Sequence, residues 1–199
     1  MPEIVHVAVA VIVNENDEVC ISLRHEDAHQ GGLWEFPGGK MEGAESVEQA
    51  LAREIKEELN LVISDSRPLI TIIHQYPDKQ VCLHVRKVTG YQGEAVGAED
   101  QPVKWVAVSA LSDYAFPDAN IAITKALQLP DRYLITGKFS DKEDFIDKLT
   151  AAVNNDIKLV QCRLKADSFH DIEQAKQLIS AAAKLCEQAD AKLMLNVPD

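Results

Sequence analysis

A mixed α+β domain, built on a mainly antiparallel or mixed sheet and followed by a shorter parallel β/α segment, is the fold class this sequence predicts. Three observations carry that reading: β-rich runs separated by turn residues, one amphipathic helix at residues 46–59, and an alternation of strand and helix patterns after residue 129.

Residues 4–13 (IVHVAVAVIV) and 18–23 (EVCISL) are strand-like, and the polar tetrad Asn14-Glu15-Asn16-Asp17 between them has the character of a hairpin turn, so the chain opens with antiparallel strands. A polar loop leads to Leu33-Trp34-Glu35-Phe36 and then Pro37-Gly38-Gly39, where the strand direction must change because Pro lacks a donor and Gly permits positive φ. From Ser46 to Leu59 the apolar residues Val47, Leu51, Ile55 and Leu59 recur every fourth position, and Ser46 with Gln49 has the spacing of a capping box. Residues 69–75 and 80–88 read as strands flanking Tyr76-Pro77-Asp78-Lys79; residues 103–108 read as another, before a helix at about 118–128. After Leu129-Pro130-Asp131 come a strand (133–136), a helix (142–153), a strand (158–162), a helix (about 170–188) and a strand (192–196). Such a series implies parallel pairing and divides the chain into domains at 1–129 and 130–199.

Composition narrows the function. At 199 residues and 46% hydrophobic content the chain has material for two cores. Its formal net charge of -12 argues against a direct nucleic-acid footprint, which gathers Lys and Arg on one surface. No run approaches the roughly 18 apolar residues of a membrane span, and the N-terminus has no basic region or cleavage site, so the expectation is a cytoplasmic protein without a membrane partner. Cys20, Cys82, Cys162 and Cys186 are scattered in apolar segments without Cys-x-x-Cys spacing and read as buried free thiols. The six histidines show no metal-ligand spacing; His25, His29, His74 and His84 read as surface or packing residues, and Trp34 and Trp105 as core.

The helix at 46–59 holds the chemistry. At 100° per residue, Glu54, Glu57 and Glu58 fall within an arc of about 100°, where like charges repel by a few tenths of a kcal/mol per pair even when exposed. One reading is a solvated acidic face. The other is a site for hard divalent cations, which prefer oxygen ligands and would reverse the repulsion, with a backbone carbonyl at Gly38-Gly39 as a further ligand.

The residues before the helix decide between them. Gly39, five residues, Glu45, seven residues, then Arg53-Glu54-Ile55-Lys56-Glu57-Glu58-Leu59-Asn60-Leu61 resembles the box of the Nudix hydrolases, Gly-x5-Glu-x7-Arg-Glu-U-x-Glu-Glu-x-Gly-U with U apolar. The departure is Asn60 where the family has Gly, and Asn best tolerates, after Gly, the left-handed conformation a helix end requires. The resemblance implies the Nudix fold, a mixed sheet sandwiched between helices, and hydrolysis of a nucleoside diphosphate linked to a variable group. It also implies magnesium, with manganese able to substitute, held by Glu54, Glu57, Glu58 and the Gly38 carbonyl. Arg53 would orient the glutamates, and Glu45 would brace the loop and the helix start.

Outside the box, residues 33–40, Tyr76-Pro77-Asp78, residues 93–102 and Phe116-Pro117-Asp118-Ala119-Asn120 look like the MutT branch of that family. This implies a nucleoside triphosphate substrate, 8-oxo-dGTP foremost, cleaved to 8-oxo-dGMP and pyrophosphate for nucleotide-pool sanitation and mutation avoidance. By that resemblance Asn120 would bond the purine edge, Lys79 would stand in place of an arginine near the base, Phe36 would line the nucleoside pocket, Arg24 would meet phosphate and Glu99 would complete the metal shell. Glu54 is the first candidate for the general base and Glu99 the second. Each pocket residue also has a plain reading: Phe36 as core, Arg24 as a solvated charge, Asn120 as a helix cap.

Tyr133-Leu134-Ile135-Thr136 with Leu159-Val160-Gln161-Cys162-Arg163-Leu164-Lys165 resembles the start of thiamine phosphate synthase, a TIM-barrel (β/α)8 protein whose Gln-x-Arg-x-Lys strand end contacts a pyrimidine diphosphate. The family's Asn-Asp-Arg appears here as Asn196-Val197-Pro198-Asp199, and a barrel needs roughly 200 residues, so this segment is expected to be a partial, catalytically incompetent part of a longer fusion. It leaves two alternatives open: a thiamine-diphosphate-related Nudix hydrolase, and a non-catalytic nucleotide sensor.

Overall fold

The first strand sets the architecture. In β1 (Ile4–Ile12) every residue from Ala8 to Ile12 is buried, the mark of a strand covered on both faces. The computed structural model describes residues 4–165 and 171–196. In it, β1 pairs antiparallel with β4 (Gly38–Lys40) and parallel with β6 (Gln80–Gln92). The outer edge of β6 takes β5 (Val62–Gln75), giving the order β4-β1-β6-β5. A second, antiparallel sheet places β2 (Glu18–Leu23) between β3 (Trp34–Glu35) and β7 (Val103–Ala107).

The expected opening hairpin is therefore corrected. The turn forms, with Asn14 N–H on Glu18 O at 3.0 Å and Asp17 at φ 58°, but β1 and β2 share a single bridge, Val13 to Val19. Both ladder edges of β1 are occupied by β4 and β6, so β2 pairs elsewhere. A strand over 62–68 was also not foreseen: Ser64, Asp65, Ser66 and Pro68 obscure it. Pro is tolerated because β5 is an edge strand, and the register shifts between Ile63 and Ile70 absorb the irregularity. At Pro37 the direction does change, and the chain crosses from β3 in one sheet to β4 in the other.

Helices cover opposite faces. Ala8, Ala10 and Ile12 of β1 pack with Ala50, Leu51, Ile55 and Leu59 of α1 (Val47–Leu59), whereas Val9 and Val11 pack with Phe36, Leu83 and with Ala119 and Ile123 of α2 (Asp118–Leu127). The sheets are thus sandwiched as expected. Helix α1 starts at a complete capping box, Ser46 with Gln49, and stops at Asn60 in the left-handed region (φ 56°), whose N–H reaches Ile55 O and Lys56 O. Ile55 is fully buried between helix and sheet. Ile55→Ala is expected to cost about 2–5 kcal/mol in urea unfolding; a loss under about 1 kcal/mol would contradict this packing.

The chain divides into two compact units, Met1–Gln128 and Leu129–Asp199. The second has β9 (Leu159–Arg163) between β8 (Tyr133–Ile135) and β10 (Lys192–Asn196), all parallel, connected through α3 (Lys142–Asn154) and α4 (Ile172–Gln188). Phe145, Leu149, Leu178 and Cys186 of the helices pack on Val160 and Cys162. Asp141 and Asp171 cap the helices through Asp144 N and Gln174 N. The residues 197–199 of the sequence signature, and His170 at the expected start of α4, lie outside the described residues. No helix among the described residues is long and apolar enough to cross a membrane.

Candidate active site

Two glycines permit close approaches, Gly38 of β4 to β1 and Gly39 of β4 to α1. At Gly38 φ is 141°, and a Cβ there would lie 2.1 Å from Ala8 O; at Gly39 a Cβ would lie 2.2 Å from the Glu54 carboxyl carbon. The Glu54 carboxylate thus rests against bare backbone, and the Gly38 N–H donates to Glu58 Oε2 at 3.1 Å. Gly39→Ala should displace Glu54 while leaving the core intact, lowering kcat by about tenfold or more with an unchanged far-ultraviolet circular dichroism spectrum. Unchanged kcat would separate Glu54 from the chemistry.

The three glutamates of α1 occupy three environments. Glu57 is exposed, Glu54 is mostly covered, and Glu58 points inward to Gly38. Arg53 grips Glu45 with two parallel bonds (Nε to Oε1, 2.8 Å; Nη2 to Oε2, 2.9 Å), and reaches Glu54 at 2.9 Å, Glu57 at 3.3 Å and Lys40 O at 3.0 Å. A planar fork of five donors is what this network needs. The bonds from Arg53 and from the Glu42 N–H hold the Glu45 carboxyl down at about 2. Glu45 therefore braces the loop chiefly through Arg53.

Burial, and then the neighbouring charge of Glu35 with smaller contributions from Glu54 and Glu99, pushes Glu58 up to about 8, against the pull of the Gly38 N–H. Burial raises Glu54 as well, opposed by Arg53. Glu35 is raised by burial despite its ion pair with Arg24. Four carboxylates share this region.

They adjoin a cleft of about 340 Å³, lined by Arg24, Phe36, Gly38, Glu58, Lys79, Glu99 and Asn120 among others. Seven sequence-derived site residues thus meet in one depression. Glu54 approaches it behind Gly39, and Arg53 and Glu57 stand outside its lining. Phe36 is both core and wall: it is 2% exposed and stacks on Phe116 at 5.4 Å between ring centroids. Asn120 does not cap α2, which begins after Pro117; its Oδ1 receives the Phe36 N–H at 3.4 Å. Arg24 is not a solvated charge, since it bonds Glu35 and His29 O. Lys79 sits in the turn between β5 and β6.

Sequence reasoning gave no role to Glu35, Tyr76 or Gln101. Gln101 is buried, donates to Glu58 O at 3.1 Å and accepts from Glu99 N at 2.9 Å, so it ties the Glu99 loop to the end of α1. Ala98 N–H on Glu58 O at 2.8 Å reinforces that tie. The Tyr76 hydroxyl receives the Ala119 N–H at 3.4 Å, fastening the start of α2. A Gln in a polar loop carries no pattern that would have marked it. His6, Cys82 and His84 come together although no sequence spacing marks them, because the parallel pairing of β1 with β6 joins residues remote in sequence.

The donor set suits a hard divalent cation. All the clustered groups are carboxylate oxygens, and burial first, with the neighbouring carboxylate charges second, favours a proton on Glu58 that a cation would displace. Glu54, Glu57, Glu58 and Glu99, with the backbone at Gly38, are the groups available to hold it.

Residues 8–126 match the NUDIX domain model. Over 122 residues the chain is 36% identical to the 8-oxo-dGTP diphosphatase of Escherichia coli K12, covering 61% of this chain and 95% of that protein. It is 30% identical over 118 residues to the CTP pyrophosphohydrolase of the same organism, covering 59% and 87%. Among solved structures, a MutT described from Aliivibrio salmonicida and Vibrio cholerae shares 32% identity with a TM-score of 0.56, covering 63% of this chain and 97% of that one. With the box, the fold and the domain match in agreement, this chain belongs to the Nudix hydrolase family.

Proposed function

We propose that this protein hydrolyses 8-oxo-dGTP to 8-oxo-dGMP and pyrophosphate with magnesium, sanitising the nucleotide pool in the cytoplasm. The observation that carries the reading is the convergence, on one cleft, of Glu58 of α1 and Glu99 with Phe36 and Asn120, Glu54 lying just behind Gly39. The relatedness to an 8-oxo-dGTP diphosphatase supports it.

Glu54, Glu57, Glu58, Glu99 and the Gly38 carbonyl would hold the cation, magnesium first and manganese as a substitute. When bound, the cation lowers the pKa of water and neutralises charge on the phosphates. Glu54 accepts the proton of the attacking water, with Glu99 second in line; Arg53 keeps the Glu54 carboxylate aimed and opposes the upward pull of burial on its pKa. Water oxygen bonds to the β-phosphorus, the bridge to the α-phosphate breaks, and pyrophosphate and the monophosphate leave. Arg24, oriented by Glu35, meets the phosphates. Asn120 uses its oxygen on Phe36 and keeps an amide group with two donors for the purine edge; Lys79 lies beside the base.

Pyrophosphate release should be compared for 8-oxo-dGTP, dGTP and CTP, with phosphate release for thiamine diphosphate. A preference for 8-oxo-dGTP that falls by about 10–100-fold in Asn120→Ala is expected, because a cleft built around a polar pair penalises its loss. Equal or greater turnover of CTP overturns the substrate assignment. A second reading, a thiamine-diphosphate-related Nudix hydrolase, draws on the resemblance of Gln161, Arg163 and Lys165 to thiamine phosphate synthase, and Asn196 Nδ2 on the neighbouring strand meets Gln161 Oε1 at 3.3 Å. Turnover of thiamine diphosphate above all nucleotides would favour it, and nucleotide binding without turnover would indicate a sensor.

A further inference from the structure

The pairing of β1 with β6 has an unexplained polar product. His6 is the register partner of Cys82, and Ala8 that of His84, so all three ligand-bearing side chains rise from one face of two adjacent strands. Ala8 adds no bulk beside His84. The Nδ1 of His6 lies 2.9 Å from Nε2 of His84, and Sγ of Cys82 lies 3.6 Å from the same Nε2. The three donor atoms all fall within 4.8 Å of one another. Bonds of about 2.0–2.1 Å from zinc to nitrogen and about 2.3 Å to sulfur place tetrahedral donors about 3.3–3.6 Å apart. The Cys82–His84 distance already satisfies that spacing, and the two imidazoles need to part by only a few tenths of an ångström.

We propose that His6, Cys82 and His84 form a second metal site, selective for a borderline cation of the zinc class and separate from the carboxylate cluster. Two imidazoles and a thiolate are poor ligands for magnesium and good ones for zinc or cobalt. His6 is exposed and Cys82 buried, which leaves the fourth position on the solvent side for water. Binding releases the Cys82 proton to solvent, so the metal-bound sulfur is a thiolate. The opposite face of the same two strands presents Val5, Val7, Val9, Val81 and Leu83 to the cleft. A metal here clips together the strands that form the cleft wall.

The test uses the full chain with magnesium in excess, which keeps the carboxylates occupied, and titrates in cobalt as a coloured probe. One equivalent should produce thiolate-to-cobalt charge-transfer absorption that zinc then abolishes by displacement. Cys82→Ser should remove the band. His6→Gln, at an exposed position, should weaken cobalt binding by at least about tenfold, with the unfolding midpoint in the absence of metal unchanged. Absence of the band in the wild-type chain, its persistence in Cys82→Ser, or unaltered affinity in His6→Gln would each overturn the proposal. The readouts do not depend on nucleotide turnover, so failure here leaves the proposed activity standing.

Discussion

Glu54→Gln is expected to lower kcat for pyrophosphate release by about 10²–10⁴-fold, the range general-base removal typically spans. The side chain keeps its shape and its place against Gly39 but can no longer take a proton, and Arg53 loses an ionised partner at 2.9 Å. Glu57→Gln, at an exposed position of the same cluster, is the comparison: a loss there that excess magnesium restores is a loss of metal binding, whereas the Glu54→Gln defect should persist. Single-turnover assays at saturating nucleotide separate chemistry from binding. A loss below tenfold would transfer the base role to Glu99, whose Glu99→Gln variant should then show the larger effect.

The second large effect concerns pH and metal removal. Glu58 stands near 8 in the folded chain against an ordinary value of 4.5. The folded state therefore holds this proton more tightly than the unfolded state does. Its stabilising contribution is complete below about pH 4.5 and is lost progressively as pH rises toward 8. In chelator-treated protein the melting temperature should fall by several degrees across that interval, at about 2–4 °C per kcal/mol for a chain of this size. Magnesium should reverse the fall, because it favours the ionised carboxylate. Glu58→Gln should flatten the metal-free profile and also abolish the magnesium response. A profile equally steep in the variant would place the linkage elsewhere.

The helix and the grouping of its glutamates on one side were legible in the sequence because both depend on local spacing. Ser46, Gln49 and the fourfold recurrence from Val47 to Leu59 specify α1 whatever surrounds it, and Asn60 marks its end by a conformational preference of its own. The pairing of β1 was not legible. Asn14-Glu15-Asn16-Asp17 makes the expected turn, yet the apolar run from Ala8 to Ile12 fits any central strand and names no neighbour. The meeting of His6, Cys82 and His84 was invisible for the same reason. Within the cleft, Arg24 and Asn120 were placed by resemblance, but their partners Glu35 and the Phe36 N–H follow only from the fold. Gln101 acts through two backbone groups, a role that residue identity does not announce.

The parallel ladder between β1 and β6 also shapes how the chain is made. The N-terminal strand leaves the ribosome well before its partner, which follows after β2, β3, β4, α1 and β5. At roughly 5–20 residues per second the nascent Ala8–Ile12 segment waits several seconds for that partner. Its contacts with Leu51, Ile55 and Leu59 of α1 need a helix that is made well before β6. Substitutions on the buried face of α1 should therefore reduce soluble yield more than equilibrium stability alone would suggest.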